Sequence, residues 1–149
     1  MKPDRLQPIV VPSNGGKILK FVGVTHKLTP QQTDSGYYLF EAVFDPESGN
    51  RLHVHRYEDE VIHVLEGVIE IRLNDQKLQG VKGGVAHLPK LIPHALYNPL
   101  KTMSRYLVLA IPGGMEHFFD ELEAAQDAGL LDDATHRKIS QKYGIEWLE

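Results

Sequence analysis

The sequence predicts an all-β domain, a small antiparallel sandwich or closed barrel with a helical appendage at its C-terminal end. Three observations carry that expectation. Between Lys17 and about Pro112, short apolar runs recur with Gly, Pro and Asn between them, the rhythm of many short strands folded onto one core. After Pro112-Gly113-Gly114 the period changes, and Phe118, Leu122 and Ala125 fall at helical spacing. A length of 149 residues, 42% of them hydrophobic, suits one domain with a core of its own.

Residues 1–16 read as an extended arm, with Ile9-Val10-Val11 a short strand candidate between Pro8 and Pro12 and a turn at Asn14-Gly15-Gly16. Residues 17–112 form the barrel. Its expected strands are Ile18–Val22, Tyr37–Phe44, Leu52–His55, Glu60–Leu65, Val68–Leu73, Val81–Leu88, Leu96–Tyr97 and Tyr106–Ile111. Tyr37–Phe44 carries aromatic and aliphatic residues on both parities, as a strand buried on two sides would. Asp45–Gly49 reads as a loop. Residues 113–149 supply two helices, Met115–Ala128 stopped by Gly129, and a second capped by Asp132 or Asp133 that runs to about Tyr143 before Gly144. They are too short to bury a core alone and are expected to cover the barrel.

Composition narrows the function classes. Net charge is -4 and the charges are mixed along the chain, which argues against nucleic acid as a partner. No lysine-rich amphipathic stretch points to a membrane surface, and no apolar run is long enough to span one. With no cysteine, disulfides, thiolate metal sites and cysteine nucleophiles are excluded. The first residues, Met1-Lys2-Pro3-Asp4-Arg5, lack the apolar run of an export signal, so the expected location is cytoplasmic.

The chemistry is concentrated in His53-Val54-His55, Glu60 and His94. Side chains alternate along a strand, so His53 and His55 share a face that Val54 does not. The polar stretch Arg56-Tyr57-Glu58-Asp59 reads as a solvated turn that returns Glu60 beside them on the next strand. By the same parity His63 points away from Glu60. His94 follows the proline-stiffened turn Leu88–Pro93, which aims it at a site on another strand. Three imidazoles and one carboxylate suit a divalent first-row transition metal (Fe, Mn, Ni, Co, Cu or Zn), with coordination positions to spare. Of the other histidines, His26, His117 and His136 read as surface residues and His87 as a packed core residue. Asn98 reads as fixing a local turn through its side chain.

These residues resemble the two motifs of the cupin superfamily. His53, His55, Glu60 and Gly67 match the first in identity and spacing; Gly83, Pro89, His94 and Asn98 match the second. Two turn positions depart. The second motif has Gly two residues after its Pro, where this chain has Leu91, and Gly49 lies closer to His53 than the first motif prefers. The resemblance spans about Leu39 to Ile111. It implies a small antiparallel jelly-roll barrel with His53, His55, Glu60 and His94 holding a metal inside it, and a homodimer in which the Pro8–Pro12 arm takes part.

Within that superfamily the chain is similar to single-domain proteins resembling quercetin 2,3-dioxygenase. The likeness lies in His53–Glu60, Val64–Gly67, Pro112–Phe119 and Tyr143–Trp147. It implies a metal-dependent dioxygenase acting on a flavonol-like or enolizable small molecule. Glu60 would be both ligand and catalytic proton acceptor, with Tyr38, Phe40 and Tyr97 along an apolar pocket. A redox-neutral sugar isomerase or epimerase and a non-enzymatic small-molecule-binding barrel stand as alternatives.

Overall fold

The computed structural model describes residues 6–149. Their strands are β1 (Lys17–Leu19), β2 (Val24–Leu28), β3 (Tyr38–Phe44), β4 (Ser48–Gly49), β5 (His53–His55), β6 (Asp59–Glu66), β7 (Val68–Arg72), β8 (Lys77–Val81), β9 (Val85–Leu88), β10 (Ala95–Asn98), β11 (Ser104–Ile111) and β12 (Ile145–Trp147). The helices are α1 (Pro30–Thr33), α2 (Glu116–Asp127) and α3 (Asp133–Lys142). All strand pairings are antiparallel. A six-stranded sheet runs β1-β2-β3-β11-β6-β9, a four-stranded sheet runs β4-β10-β7-β8, and β12 pairs with β5.

One apolar core joins the inner faces. Tyr38, Phe40, Ile62, Val64, Tyr106 and Val108 come from the larger sheet, Ile69, Ile71 and Leu96 from the smaller. Alternation produces this directly: in β6, Glu60, Ile62 and Val64 are buried while His63 between them is exposed. Fully burying a side chain such as Ile62 contributes roughly 1.5–3 kcal/mol. The chain passes from β6 in the larger sheet to β7 in the smaller one at Gly67, whose φ of 81° suits glycine and whose α-carbon lies hard against Ser104. Opposite it, β11 shifts register between Arg105 and Tyr106.

The C-terminal segment packs on the barrel. Phe118 and Leu122, one turn apart on α2, enter the core. Asp132 caps α3 by accepting a hydrogen bond from the Thr135 backbone N–H at 2.7 Å, a contact type that stabilises by about 1 kcal/mol. Polar clamps hold α2 to the β1–β2 hairpin. The Glu123 carboxylate accepts from the backbone N–H of Phe21 and of Val22, and the Asp120 carboxylate meets Lys17 and His26. No helix among the described residues is long and apolar enough to cross a membrane.

Several boundaries differ from the sequence reading. Ile9–Val11 forms no strand, and the first five residues of the arm lie outside the described residues. The chain turns after Leu19, so Ile18–Val22 is half strand and half turn, and β2 follows unforeseen. The run read as Val81–Leu88 is two strands, β8 and β9, hinged at Lys82-Gly83-Gly84. Ser48–Gly49, read as loop, pairs with β10 as β4. Most consequentially, the chain does not end in helices. Beyond Gly144, β12 returns to pair with the histidine strand β5, placing Ile145 opposite His55 and Trp147 opposite His53.

Candidate metal centre

His53 and His55 project inward from β5, with both flanking segments fixed by backbone bonds. On one side β12 pairs along the strand. On the other, His53 and His94 exchange backbone hydrogen bonds, at 3.0 and 2.9 Å, so the third imidazole arrives in register beside the first. The loop before His94 is anchored by the Leu91 N–H donating to the His55 carbonyl at 2.9 Å. Glu60 lies near the start of β6, its side chain on the inner face.

The four residues converge, each nearly buried. The Nε2 atoms of His53 and His55 are 3.2 Å apart. Glu60 Oε2 stands 3.3 Å from His94 Nε2 and 3.6 Å from His55 Nε2. His53, His55 and His94 are positioned to bind a metal ion. Neither Glu60 Oε2 nor His94 Nε2 has a hydrogen-bond partner despite burial.

The far side of each ring decides what these nitrogens can be. His53 Nδ1 lies 2.8 Å from the Arg51 carbonyl and His94 Nδ1 3.2 Å from that of Ile92. A carbonyl only accepts, so each Nδ1 carries a proton, and the neutral form of each ring then turns its Nε2 lone pair to the centre. Lone pairs converging at this spacing repel unless a cation lies among them. Ligands bound at about 2.1 Å and roughly right angles to one another lie about 3 Å apart, close to the separations found. The donor set fits a divalent transition ion.

Electrostatics agree. Burial, reinforced by His55 and His94, pulls the His53 imidazole down to about 3. Burial also opposes charging His55, but the carboxylates of Glu60 and Glu58 outweigh it and raise its pKa. Burial pushes Glu60 upward; the imidazoles of His55 and His94 overcome this and hold it at about 2. Without an ion, His55 keeps its proton to higher pH than a free imidazole, and that proton offsets the Glu60 charge.

Beside the cluster lies a cavity of about 690 Å³. Its walls are largely apolar, with Phe40, Ile62, Leu96, Phe118, Phe119 and Trp147 among them, while His53, His55 and Glu60 reach its inner surface. Of the three aromatic residues expected there, only Phe40 lines it. Tyr38 is fully buried with its hydroxyl turned to His26, and Tyr97 lies in β10 with part of its ring in solvent.

Other side chains fall elsewhere than the sequence suggested. Glu58 is not a solvated turn residue: it is 5% exposed, with Oε2 3.8 Å from His55 Nδ1. His26 is buried between Tyr38 and Asp120. His136 is half-buried against Trp147. His87, read as a core residue, is exposed on β9. Trp147, which the sequence analysis gave no role at the site, packs its ring 4.8 Å from that of His53 and donates its indole N–H to Ser140 Oγ at 2.8 Å. No periodic signal announces a three-residue strand, so β12 and its tryptophan were hidden.

A family model described as Cupin domain matches residues 40–110. Solved structures share the fold. A polyketide cyclase, RemF from Streptomyces resistomycificus, is 26% identical over 60% of this chain and 65% of its own, with a TM-score of 0.52. A predicted oxalate decarboxylase from Thermotoga maritima is 21% identical over 60% of this chain and 78% of its own, with a TM-score of 0.56. KdgF from a Halomonas species is 20% identical over 64% and 84%, with a TM-score of 0.54. No protein of curated function matches the chain in sequence.

Proposed function

Residues 40–110 being a cupin domain in a cupin-type barrel, we propose that the chain is a metal-dependent dioxygenase for a flat, apolar, enolizable molecule of flavonol-like shape, with His53, His55, Glu60 and His94 as metal ligands. The observation that carries this reading is an apolar cavity ending on a buried cluster whose Glu60 Oε2 has no partner. Such a cavity suits a molecule with a large apolar body and one acidic hydroxyl.

When bound, a divalent ion would supply a Lewis-acidic centre with positions left for a substrate oxygen and dioxygen. The chain does the rest. Phe40, Phe118, Phe119 and Trp147 exclude water and hold the ring system flat. Glu60 accepts the enol or phenol proton at Oε2, which has no hydrogen-bond partner. The carbonyls of Arg51 and Ile92 keep His53 and His94 in the tautomer that leaves Nε2 free.

A redox-neutral reaction on the same kind of substrate is the second reading, favoured by the likeness to a polyketide cyclase structure. A phosphorylated sugar is poorly served: Arg72 is paired with Glu149, Arg105 with Glu41 and Glu66, and Arg51 lies over Trp147. Metal analysis of the isolated protein, followed by oxygen uptake with flavonols and enolizable diketones, separates the readings. Uptake matched to substrate loss supports the dioxygenase. Substrate loss without uptake sinks it and leaves the redox-neutral reaction.

We also propose a homodimer. On the outward face of the six-stranded sheet, Leu39, Val61, Leu107 and Leu109 lie side by side across β3, β11 and β6. An apolar stripe there asks for cover. Light scattering that returns a monomer mass at micromolar concentration would exclude it.

A further inference from the structure

We propose that Glu58 is a positioning residue for the metal centre: its carboxylate receives the Nδ1–H of His55 and fixes that ring for coordination through Nε2. The inference rests on the metal-binding reading and adds a residue to it.

The three imidazoles are not held alike. His53 and His94 each turn Nδ1 to a backbone carbonyl, an acceptor that strand geometry supplies at no cost in charge. His55 has no carbonyl within reach. Its Nδ1 is buried without a hydrogen-bond partner, and so is Glu58 Oε2, 3.8 Å away. Two orphaned buried atoms, a donor and an acceptor facing each other just beyond hydrogen-bond range, are an incomplete contact rather than two separate defects. Coordination through Nε2 requires the His55 proton on Nδ1, which is the condition under which the contact closes.

Glu58 is held where this can happen. The turn carrying it is tied to the C-terminal segment by the Arg56 N–H donating to the Gly144 carbonyl at 2.8 Å, and Tyr57 packs against Gly144. The returning β12 segment therefore braces the turn as well as covering His53. Charge points the same way. A dication with Glu60 and Glu58 sums to zero in a site where both carboxylates and all three rings are buried. A trivalent ion leaves a surplus, which favours a divalent resting state.

The test compares the full chain with Glu58→Gln and Glu58→Ala, loaded with Co²⁺. The readouts are the dissociation constant by chelator competition and the exchangeable, hyperfine-shifted imidazole N–H resonances in proton NMR. The unaltered protein should give three such resonances, one per histidine. Glu58→Ala should weaken Co²⁺ binding by roughly 10–100-fold and lose one resonance to solvent exchange. Glu58→Gln keeps an acceptor without the charge, so it should retain three resonances with one displaced, and recover part of the affinity. Melting of the metal-free variants checks folding, and the Gln variant, equal in size, keeps the comparison readable should the Ala variant unfold. Unchanged affinity and an unchanged N–H pattern in Glu58→Gln overturn the proposal while leaving the metal reading intact. Failure of the unaltered protein to take up Co²⁺ at all overturns both.

Discussion

The polar clusters buried around Asn98 and around Glu60 are built on opposite principles. Around Asn98, which has no exposed surface, every group is matched. Its amide donates to the carbonyls of Asp45 at 3.0 Å and Thr102 at 2.8 Å, and its oxygen accepts from the Leu100 N–H and the Ser104 hydroxyl. Around Glu60, four buried atoms of His55, Glu58, Glu60 and His94 have no partner. A protein of this size has few such orphans, because each costs about 1–3 kcal/mol. The closed network stabilises the loop before β11. The open one is destabilising by itself and makes sense as a receptor for something absent from the chain.

The sharpest way to break that contrast is to remove one member from each cluster. His94→Ala should weaken divalent metal binding by more than about 100-fold, beyond what the loss of an outer partner costs, with little change in metal-free melting. Titration with Zn²⁺ or Co²⁺ checks it, and unchanged stoichiometry and affinity would remove His94 from the ligand set. Asn98→Ala should do the reverse. It leaves buried carbonyls and a hydroxyl unmatched, costing about 2–4 kcal/mol in denaturant unfolding, while folded protein still takes up metal normally.

The contrast was only partly legible in the sequence. Parity on β5 places His53 and His55 on one face, and proline-stiffened spacing brings His94 back to them, so the inner ligands could be read from a period of two. Asn98 is readable as a turn residue, though not as the hub joining the loop after β3 to the loop before β11. Glu58 was not readable, because Arg-Tyr-Glu-Asp has the composition of a solvated turn. The turn that carries it is tied to Gly144, just before β12, a strand that begins 87 residues after Glu58 and is too short to show a pattern. The same long-range cause hides the role of Trp147. The burial of His26 is hidden as well, because Thr25 and Lys27 make β2 look polar while alternation sends Val24 and His26 inward.

Acidity offers a more graded probe of the open cluster. In the metal-free protein His53 is depressed to about 3, so below about 6.5 the unfolded chain binds a proton that the folded chain refuses. Stability therefore falls as pH drops from there toward 3. Glu60, depressed to about 2, adds its own loss as pH falls below about 4.5. His55 is raised and acts with the opposite sign: its contribution is complete below about 6.5 and disappears as pH rises through its folded value. A metal ion replaces that proton. Metal affinity should thus rise about tenfold per pH unit up to the raised value of His55 and level off above it, a slope of one proton that isothermal titration in two buffers can count. Affinity independent of pH across that range would mean that His55 is not displaced from its proton by the ion.

The smallest expected effect lies in the turn that delivers His94. Leu91 stands where the second cupin motif has glycine, and its φ is 68°, in the left-handed region that a leucine side chain disfavours. The side chain is 61% exposed and gives up little packing if removed. What the turn needs from this residue is its backbone N–H, which holds the His55 carbonyl at 2.9 Å. Leu91→Gly keeps that bond and relieves the strain, at the cost of a looser unfolded chain. The two effects oppose, and the left-handed penalty of roughly 1–2 kcal/mol is the larger, so a net gain of up to about 1 kcal/mol in unfolding free energy, read as a higher denaturant midpoint, is expected. Metal affinity should stay the same, because neither the His55 nor the His94 ring is touched. A loss of metal affinity in this variant would show instead that the leucine holds the His94 turn in place, and that the strain is tied to the site rather than incidental to it.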